Sequence, residues 1–441
     1  MNMTFKSWTS PFTTLLCHRP WTPPSAIAPR LSASQLVEEE KTPYYRPERF
    51  YPVQLGQVLH GRYQIATKLG YGSSSTVWLA RDLCRLFMHP QQPGFANEFC
   101  SWRWKSERYV AIKITSRGPC APKDDICQEL ALLKHISKAN PRHDGWHFVR
   151  KLVDSFHVSG VDGKHACLVF EPMREPLWLY SRRFIGNVIP PNVFKVMLQM
   201  ILHGLDYLHT ECEIIHTDLK PDNVMVKVED PAILQRDAQD EQRNPLPQKH
   251  LDGRIIYLSR NDYGQFSAPT GVVQIVDFDL SVFGNIPRTG CIQADVYRAP
   301  EVILDAGYSY SADIWSLGVM LWDLLEGRKL FNVIHPSQND DYDEHLHLAY
   351  ITSLLGSPPS ELTSARRAHM FYDSNGSFRN PSLLPGNFSF ESSISGMNGA
   401  EKEMFINFAK RMIRWCPNER STAKELLEDP WLYTDFPQVD P

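Results

Sequence analysis

The octapeptide His216-Thr217-Asp218-Leu219-Lys220-Pro221-Asp222-Asn223 constrains this chain more than any other stretch. It places a carboxylate, an amine and an amide two to three residues apart in one segment. Transfer of a phosphoryl group needs that set: a carboxylate to orient a hydroxyl, a cation beside the moving phosphate and an oxygen ligand for magnesium. Other segments supply the remaining parts in order along the chain.

The chain has 441 residues, a net charge of −4 and 42% hydrophobic residues. That length accommodates two lobes or two to three domains, with enough apolar content for a sizeable core. The mildly acidic balance opposes a general nucleic-acid binder. The nine cysteines show no C-x-x-C spacing, which argues against a zinc site or disulfide framework and fits a reducing compartment. The longest apolar run, 314–325, is too short to span a bilayer and contains Asp323. The first 37 residues lack Asp and Glu but carry Lys6, Arg19 and Arg30. This resembles an organelle transit peptide. Pro11, Pro20, Pro23, Pro24 and Pro29 oppose an amphipathic helix, so a disordered or lobe-wrapping extension over 1–62 is the favoured expectation.

From Tyr63 the texture changes. Segments 62–69, 76–80, 109–114, 149–156 and 166–170 have the apolar, β-branched character of short strands. Ile126, Leu130, Leu133 and Ile136 recur at helical spacing within 123–139. The expectation is a five-stranded sheet with one helix, interrupted by an insertion at 84–108 that is too long for a hairpin turn. Beyond Pro176 helices dominate. Phe194, Leu198, Ile201, Leu205 and Leu208 mark a buried helix leading into the octapeptide. A polar insertion occupies 228–270, Ser311 is the expected N-cap of a helix reaching Leu325, and a last helical region covers 401–432.

Four further motifs carry chemistry. Leu69-Gly70-Tyr71-Gly72-Ser73-Ser74-Ser75 lies between two strands, where glycines permit close backbone approach to phosphates. Lys113 interrupts the apolar strand Val110-Ala111-Ile112. An ammonium there needs a partner; Glu129 is the expected one because it falls in the apolar helical stripe, with Asp124 and Asp125 nearby as alternatives. Asp277-Phe278-Asp279 ends the apolar strand 272–276, a suitable place for a hard magnesium ligand. In Arg298-Ala299-Pro300-Glu301, Glu301 needs a buried partner, for which Arg420 is the candidate. Asp313 is expected to be buried and to accept from the backbone of the octapeptide.

Taken together, residues 63–432 resemble a eukaryotic protein kinase domain, and within that superfamily the SR protein kinases, particularly their short fungal relatives. The carrying features are G-x-G-x-x-S followed by T-V-W-L-A, H-T-D-L-K-P-D-N, the stretch Ile292-Gln293-Ala294-Asp295-Val296-Tyr297-Arg298-Ala299-Pro300-Glu301, and the run from Tyr310 through Trp322-Asp323 to Glu326-Gly327-Arg328. Asp252-Gly253-Arg254-Ile255-Ile256-Tyr257-Leu258-Ser259-Arg260 adds to them. The resemblance implies an α+β, bilobal fold: an N-lobe over 63–172 with the antiparallel sheet and one main helix, a mainly helical C-lobe over 173–432, and a tail at 433–441. It implies an ATP- and Mg2+-dependent serine/threonine protein kinase. Leu69, Gly70, Gly72, Val77, Ala111, Lys113, Phe170, Glu171, Met173 and Met225 would surround the nucleotide, with Phe170 as gatekeeper. Asp218 would orient the substrate hydroxyl, Lys220 would stabilise the γ-phosphate, Lys113 and Glu129 would hold the α- and β-phosphates, and Asn223 and Asp277 would hold the metal.

Three positions depart from the family pattern. Ser75 replaces the third glycine, Asp279 the glycine of D-F-G, and Thr217 an arginine that usually pairs with a phosphorylated activation loop. Activity without such phosphorylation is therefore expected. The family's substrates imply a protein partner rich in Arg-Ser, acting with a monomeric kinase in cytoplasm and nucleus, without direct nucleic-acid or membrane contact. Asp340, Asp341, Asp343 and Glu344 form an acidic cluster that suits basic peptides, although an ordinary solvated loop is the plainer explanation. Two other readings stay open: a catalytically dead scaffold, which Ser75 and Asp279 favour slightly, and a small-molecule phosphotransferase, which the A-P-E element disfavours.

Overall fold

A computed structural model describes residues 18–22, 26–43, 45–84, 107–117, 124–160, 163–251, 253–266, 271–331, 333 and 342–436. The chain divides into two compact units. One holds the described residues of Met1–Asp124, Leu152–Met173 and Val228–Pro269; the other holds those of Asp125–Lys151, Arg174–Lys227 and Thr270–Pro441.

The first unit is built on an antiparallel sheet of β1 (Val58–Leu59), β2 (Tyr63–Tyr71), β3 (Ser75–Asp82), β4 (Arg108–Thr115), β5 (Leu152–Gly160) and β6 (Gly163–Phe170), in the order β1-β2-β3-β4-β6-β5. Six strands stand where five were expected, because the two-residue β1 pairs with the start of β2. The fourth expected strand begins at Leu152 instead of Val149, which instead forms an isolated parallel bridge. β-branched and aromatic side chains fill the sheet's core, where Tyr63, Ile65, Trp78, Ile112, Ile114 and Val169 are buried together. The insertion at 84–108 lies mostly outside the described residues.

Polar segments from elsewhere in the sequence cover this sheet. The insertion at 228–270 contributes an α-helix, Ala232–Arg243, whose Leu234 and Ala238 pack with Leu79 and Tyr109. It also contributes a hairpin, Gln248–Leu251 with Arg254–Tyr257, from which Tyr257 sets its ring edge-on to Trp78 at 5.5 Å. The N-terminal extension is held here too. Glu38, Glu39 and Glu40 form one helical turn. Glu39 pairs with Lys68 of β2, Glu38 accepts from the Ser259 backbone at 3.0 Å, and Glu40 pairs with Lys249 at 2.7 Å. Lys68 and Lys249 are almost wholly buried; Lys249 depends on Glu40, while Lys68 has Glu38 at 3.4 Å as well as Glu39.

The second unit is mainly helical. Pro191–Asp206 begins with a proline, which suits the first helical turn, and buries Phe194, Leu198, Ile201 and Leu205 on one face. Ser311–Leu325 is buried nearly all round and forms the unit's centre. Ser311 is this helix's first residue, not its cap: Tyr310 precedes it in the cap position without a side-chain hydrogen bond. Helices Glu344–Leu355, Gly399–Lys410 and Ala423–Leu427 complete the unit. Two short strands, Val224–Lys227 and Val273–Ile275, pair antiparallel and bring the end of the octapeptide beside the segment leading to Asp277. No helix among the described residues is long and apolar enough to cross a membrane.

Candidate active site

In the first unit the glycine-rich turn joins β2 to β3. A Cβ at Gly70 would meet nothing within 4 Å, and one at Gly72 only Ser75 Oγ at 3.9 Å, so both glycines border open space. Ser75 explains the missing third glycine. It is the first residue of β3, registered opposite Thr115, where the backbone is ordinary strand. Leu69 packs partly against the cluster of Leu79, Tyr109, Leu234 and Ala238.

Lys113 stands in β4 between Val77 on one side and Leu168 on the other. Ala111 pairs with Phe170, which is buried at the end of β6, and the chain continues through exposed Glu171 to buried Met173. Val77, Ala111, Lys113 and the 170–173 segment thus belong to one sheet and its outgoing strand. Glu129 and Met225 belong to the second unit. Glu129 is buried in the helix Asp124–Ile136 alongside Leu132, Leu133 and Ile136.

The octapeptide forms the centre of the second unit's polar site. His216 is fully buried and edge-on to Phe278 at 5.3 Å. Its Nε2–H donates to Val276 O at 3.0 Å, and its Nδ1 accepts the Asp218 N–H at 3.3 Å. Asp218 Oδ2 accepts from Lys220 Nζ at 2.7 Å and from Asn223 Nδ2 at 3.0 Å. Both donors converge on one oxygen, which leaves Oδ1 for a substrate hydroxyl. Asn223 Nδ2 also donates to Asp218 O at 2.8 Å. Its amide oxygen is the atom left to meet a cation, and Asp277 is exposed. Hydrogen-bonding from Val276 N to Asn223 O at 2.9 Å holds the two metal-ligand candidates on adjoining backbone. Two hard oxygens beside a phosphate substrate suit magnesium, which keeps several waters and uses few protein ligands.

Backbone strain marks the same place. Thr217 and Asp277 have φ of 68° and 66°, in the left-handed region that side-chain-bearing residues rarely adopt. Asp313 holds the first of them: fully buried, it accepts His216 N–H at 2.7 Å and Thr217 N–H at 2.9 Å, as expected from the sequence. Asp279 is not among the residues with positive φ. The glycine usual at that position is therefore not required by this backbone.

The segment following Asp277 is anchored throughout. Thr217 Oγ1 donates to Leu280 O at 2.8 Å and Ser281 Oγ to His216 O at 3.1 Å. Val282–Phe283 pairs with Ile214–Ile215. Gly284 follows; a Cβ there would lie 2.5 Å from the Tyr310 ring, so no larger residue fits. Further along, Gln293 Nε2 donates to Ala312 O and Ser316 Oγ, both at 2.9 Å. The segment ends at Glu301, whose carboxylate receives two Arg420 donors at 2.7 and 2.6 Å with both side chains fully buried. The residues expected to form this pair do so.

Sequence reasoning did not single out Tyr297, Asp323 and Lys329. Lys329 Nζ donates to Asp323 Oδ2 at 2.7 Å and to Tyr297 Oη at 2.6 Å, and Tyr297 also donates to Asp323. Burial pushes the Tyr297 hydroxyl upward, with the charges of Asp323, Asp222 and Asp218 adding to it. Burial likewise raises the Asp323 carboxyl, opposed by Lys329. An aspartate inside the apolar run 314–325 was the available signal.

The acidic cluster looks different in three dimensions. Asp340 and Asp341 lie outside the described residues. Asp343 caps the helix Glu344–Leu355, accepting from His345 N and Leu346 N, and Glu344 pairs with Arg367 at 2.6 Å. Both described carboxylates thus have structural work.

Comparison with known proteins shows the family. The protein kinase domain family matches residues 99–432. A serine/threonine protein kinase of Aspergillus fumigatus is 35% identical, covering 94% of this chain and 95% of the relative. The serine/threonine-protein kinase SRPK of Physarum polycephalum is 31% identical, covering 90% and 91%. SRSF protein kinase 3 of Mus musculus is 24% identical over 94% of each chain. A solved kinase domain shares the fold, with a TM-score of 0.62 at 21% identity, covering 87% of this chain and 99% of its own. With these matches, the chain belongs to the protein kinase family and is a serine/threonine protein kinase of the SR-protein-kinase-like group.

Proposed function

We propose that this kinase transfers the γ-phosphate of ATP to serines in arginine-rich protein segments. The observation that carries the substrate class is the placement of Asp323 on the helix Ser311–Leu325, which packs against the turn Pro221–Asn223 that carries Asp222 and follows Asp218. Such a negative field draws basic peptides toward the reacting carboxylate. The name of the Physarum relative supports the same class.

In this reading Asp218 Oδ1 orients the serine hydroxyl and accepts its proton, and Lys220, already on Oδ2, stabilises charge on the transferred group. Gly70 and Gly72 give phosphates close backbone approach, and Lys113 supplies a positive charge for them. Val77 and Ala111 present an apolar surface to adenine, while Phe170 and residues 171–173 supply backbone hydrogen-bonding groups for it. Asn223 and Asp277 hold magnesium, which neutralises phosphate charge when bound. The rate gain comes from positioning and electrostatics. A protein is the substrate, and the kinase acts on it as a monomer. Among the described residues, Cys167, Cys212, Cys291 and Cys416 form no disulfide, which suits the proposed cytoplasmic and nuclear setting.

The test compares wild-type kcat/KM on a peptide of Arg-Ser repeats with that on the same peptide bearing alanine for arginine. A preference of tenfold or more for the arginine peptide, on the order expected from lost charged hydrogen bonds, supports the assignment. Equal turnover of both rejects it.

A further inference from the structure

We propose that Ser259 is a phosphorylation site, modified by a second copy of this kinase, and that phosphate there undocks the N-terminal turn Glu38–Lys41 from the sheet of the first unit. The inference rests on the substrate class proposed above, because Arg260 follows Ser259 in the sequence.

A single carboxylate grips Ser259. Glu38 Oε1 accepts the Ser259 N–H at 3.0 Å, and Glu38 Oε2 accepts the Ser259 hydroxyl at 2.5 Å. Lys68 of β2 stands beside them. Its ammonium lies 3.4 Å from Glu38 Oε2, pairs with Glu39, and donates at 3.1 Å to the oxygen of Tyr257, two residues before Ser259. The hydroxyl is a donor to Glu38 in this arrangement. A phosphoserine has no such donor; it offers acceptor oxygens and a charge of about −1.5 to −2 at pH 7. Phosphorylation therefore turns the contact with Glu38 from attractive to repulsive. It also gives Lys68 a stronger anion than Glu38, so the buried ammonium keeps a counter-charge when the turn leaves.

The docked turn is also strained. Glu38 has a left-handed φ of 54°, which a side-chain-bearing residue keeps only where its contacts hold it there. Two of those contacts end on Ser259, so losing them favours the open form. Ser259 is only partly buried, and departure of Glu38 uncovers its hydroxyl. Arg260 donates to Asp240 at 2.6 Å and to Glu241 at 2.9 Å, and exchanges these for the acids of the second copy's site. In the transfer, the bond between the γ-phosphorus of ATP and its bridging oxygen breaks as the bond to Ser259 Oγ forms. The hydroxyl proton passes to the catalytic carboxylate of the second copy, and ADP leaves. The turn braces Lys68, which directly precedes Leu69 and Gly70, so undocking frees the strand that feeds the glycine-rich turn. The competing explanation is an ordinary hydrogen bond that fixes the N-terminal extension. Alanine and aspartate at 259 both remove that donor, but only aspartate sets a charge against Glu38.

The experiment has two readouts. First, the D218N chain serves as acceptor for a trace of wild-type kinase with Mg2+ and ATP, and tandem mass spectrometry maps the phosphate. Phosphate on Ser259 with wild type present, and none with the D218N chain alone, is the expected result. Second, tryptic cleavage after the exposed Lys41 reports undocking of the turn. S259D is expected to be cut about tenfold faster than S259A, on the order of exchanging a charged hydrogen bond for a like-charge contact. E38Q removes the opposing charge, so S259D/E38Q should be cut within about twofold of E38Q. Phosphorylated wild type, compared with its phosphatase-treated form, gives the same contrast without a substitution, so poor folding of S259D does not remove the test. The proposal is overturned if Ser259 stays unmodified, or if neither S259D nor the phosphorylated chain is cut more than about twofold faster than its reference. Equal turnover of the arginine and alanine peptides defeats the proposed substrate class alone; phosphate at Ser259 and the cleavage rates still decide this site.

Discussion

Asn223 donates its side-chain amide to Asp218 twice, at 2.8 Å to the main-chain oxygen and at 3.0 Å to Oδ2. One residue therefore orients the carboxylate. With Lys220 on the same Oδ2, both donors lie on one of its oxygens. Asp218→Asn keeps the shape but removes the charge and the acceptor for a proton. Its kcat is expected to fall by roughly 10²–10⁴, with an unchanged melting temperature. A steady-state kinase assay beside thermal melting checks this; near-normal turnover would remove Asp218 from the mechanism.

The Glu301–Arg420 pair has no solvent on either side chain. Arg420→Met leaves a buried carboxylate without its partner, which should cost about 3–5 kcal/mol. Chemical denaturation measures it. Replacing both residues with Leu and Met should recover most of the loss, because no charge is then stranded.

Activity should not depend on phosphorylation of the segment 277–301. Thr217 provides a neutral hydrogen bond to Leu280 O, and backbone pairing continues through Val282 and Phe283. Phosphatase-treated protein is expected to keep its kcat within about twofold, since each such neutral bond contributes about 1 kcal/mol without any phosphate. Loss of most activity after treatment would count against this anchoring.

The N-terminal turn is predicted to be part of the first unit's stability. Glu40→Gln removes the charge facing Lys249, whose side chain is 2% exposed, and should destabilise the protein by about 3 kcal/mol. Glu39→Gln should cost less, because Glu38 still lies 3.4 Å from Lys68. Melting curves distinguish this from a passive tail, for which neither substitution would matter.

His347 should make stability fall with acid. Burial, with Arg298 adding repulsion, pushes its imidazole down to about 3. The unfolded chain takes up the proton near pH 6.5, while the folded chain resists it until about pH 3. The stabilisation is thus complete above pH 6.5 and is lost progressively as pH falls through that window. About 1.4 kcal/mol should be lost by pH 5.5. A His347→Gln variant, measured by denaturation at pH 7.5 and 5.5, should show a smaller difference between the two.

The catalytic loop was legible in the sequence because its chemistry is local. Asp218, Lys220 and Asn223 lie within one turn and meet whatever surrounds them. Apolar periodicity likewise marked the helices, and a charge in an apolar setting pointed to Asp313 and to the Glu301–Arg420 pair. What periodicity could not fix was the edge of each element. A two-residue strand such as β1 and the first turn at Tyr310 depend on hydrogen bonds that a single residue can shift.

Sequence alone therefore determined the reaction: the residue types and spacing for phosphoryl transfer are written in short segments. Tertiary structure alone decided which charges are buried. Glu38 to Glu40 and Lys249 look like solvated positions in polar stretches, and nothing near Lys68 in its expected strand names a partner. They acquire partners because segments far apart in the chain pack together, and a buried charge is tolerated only where its counter-charge is brought alongside it.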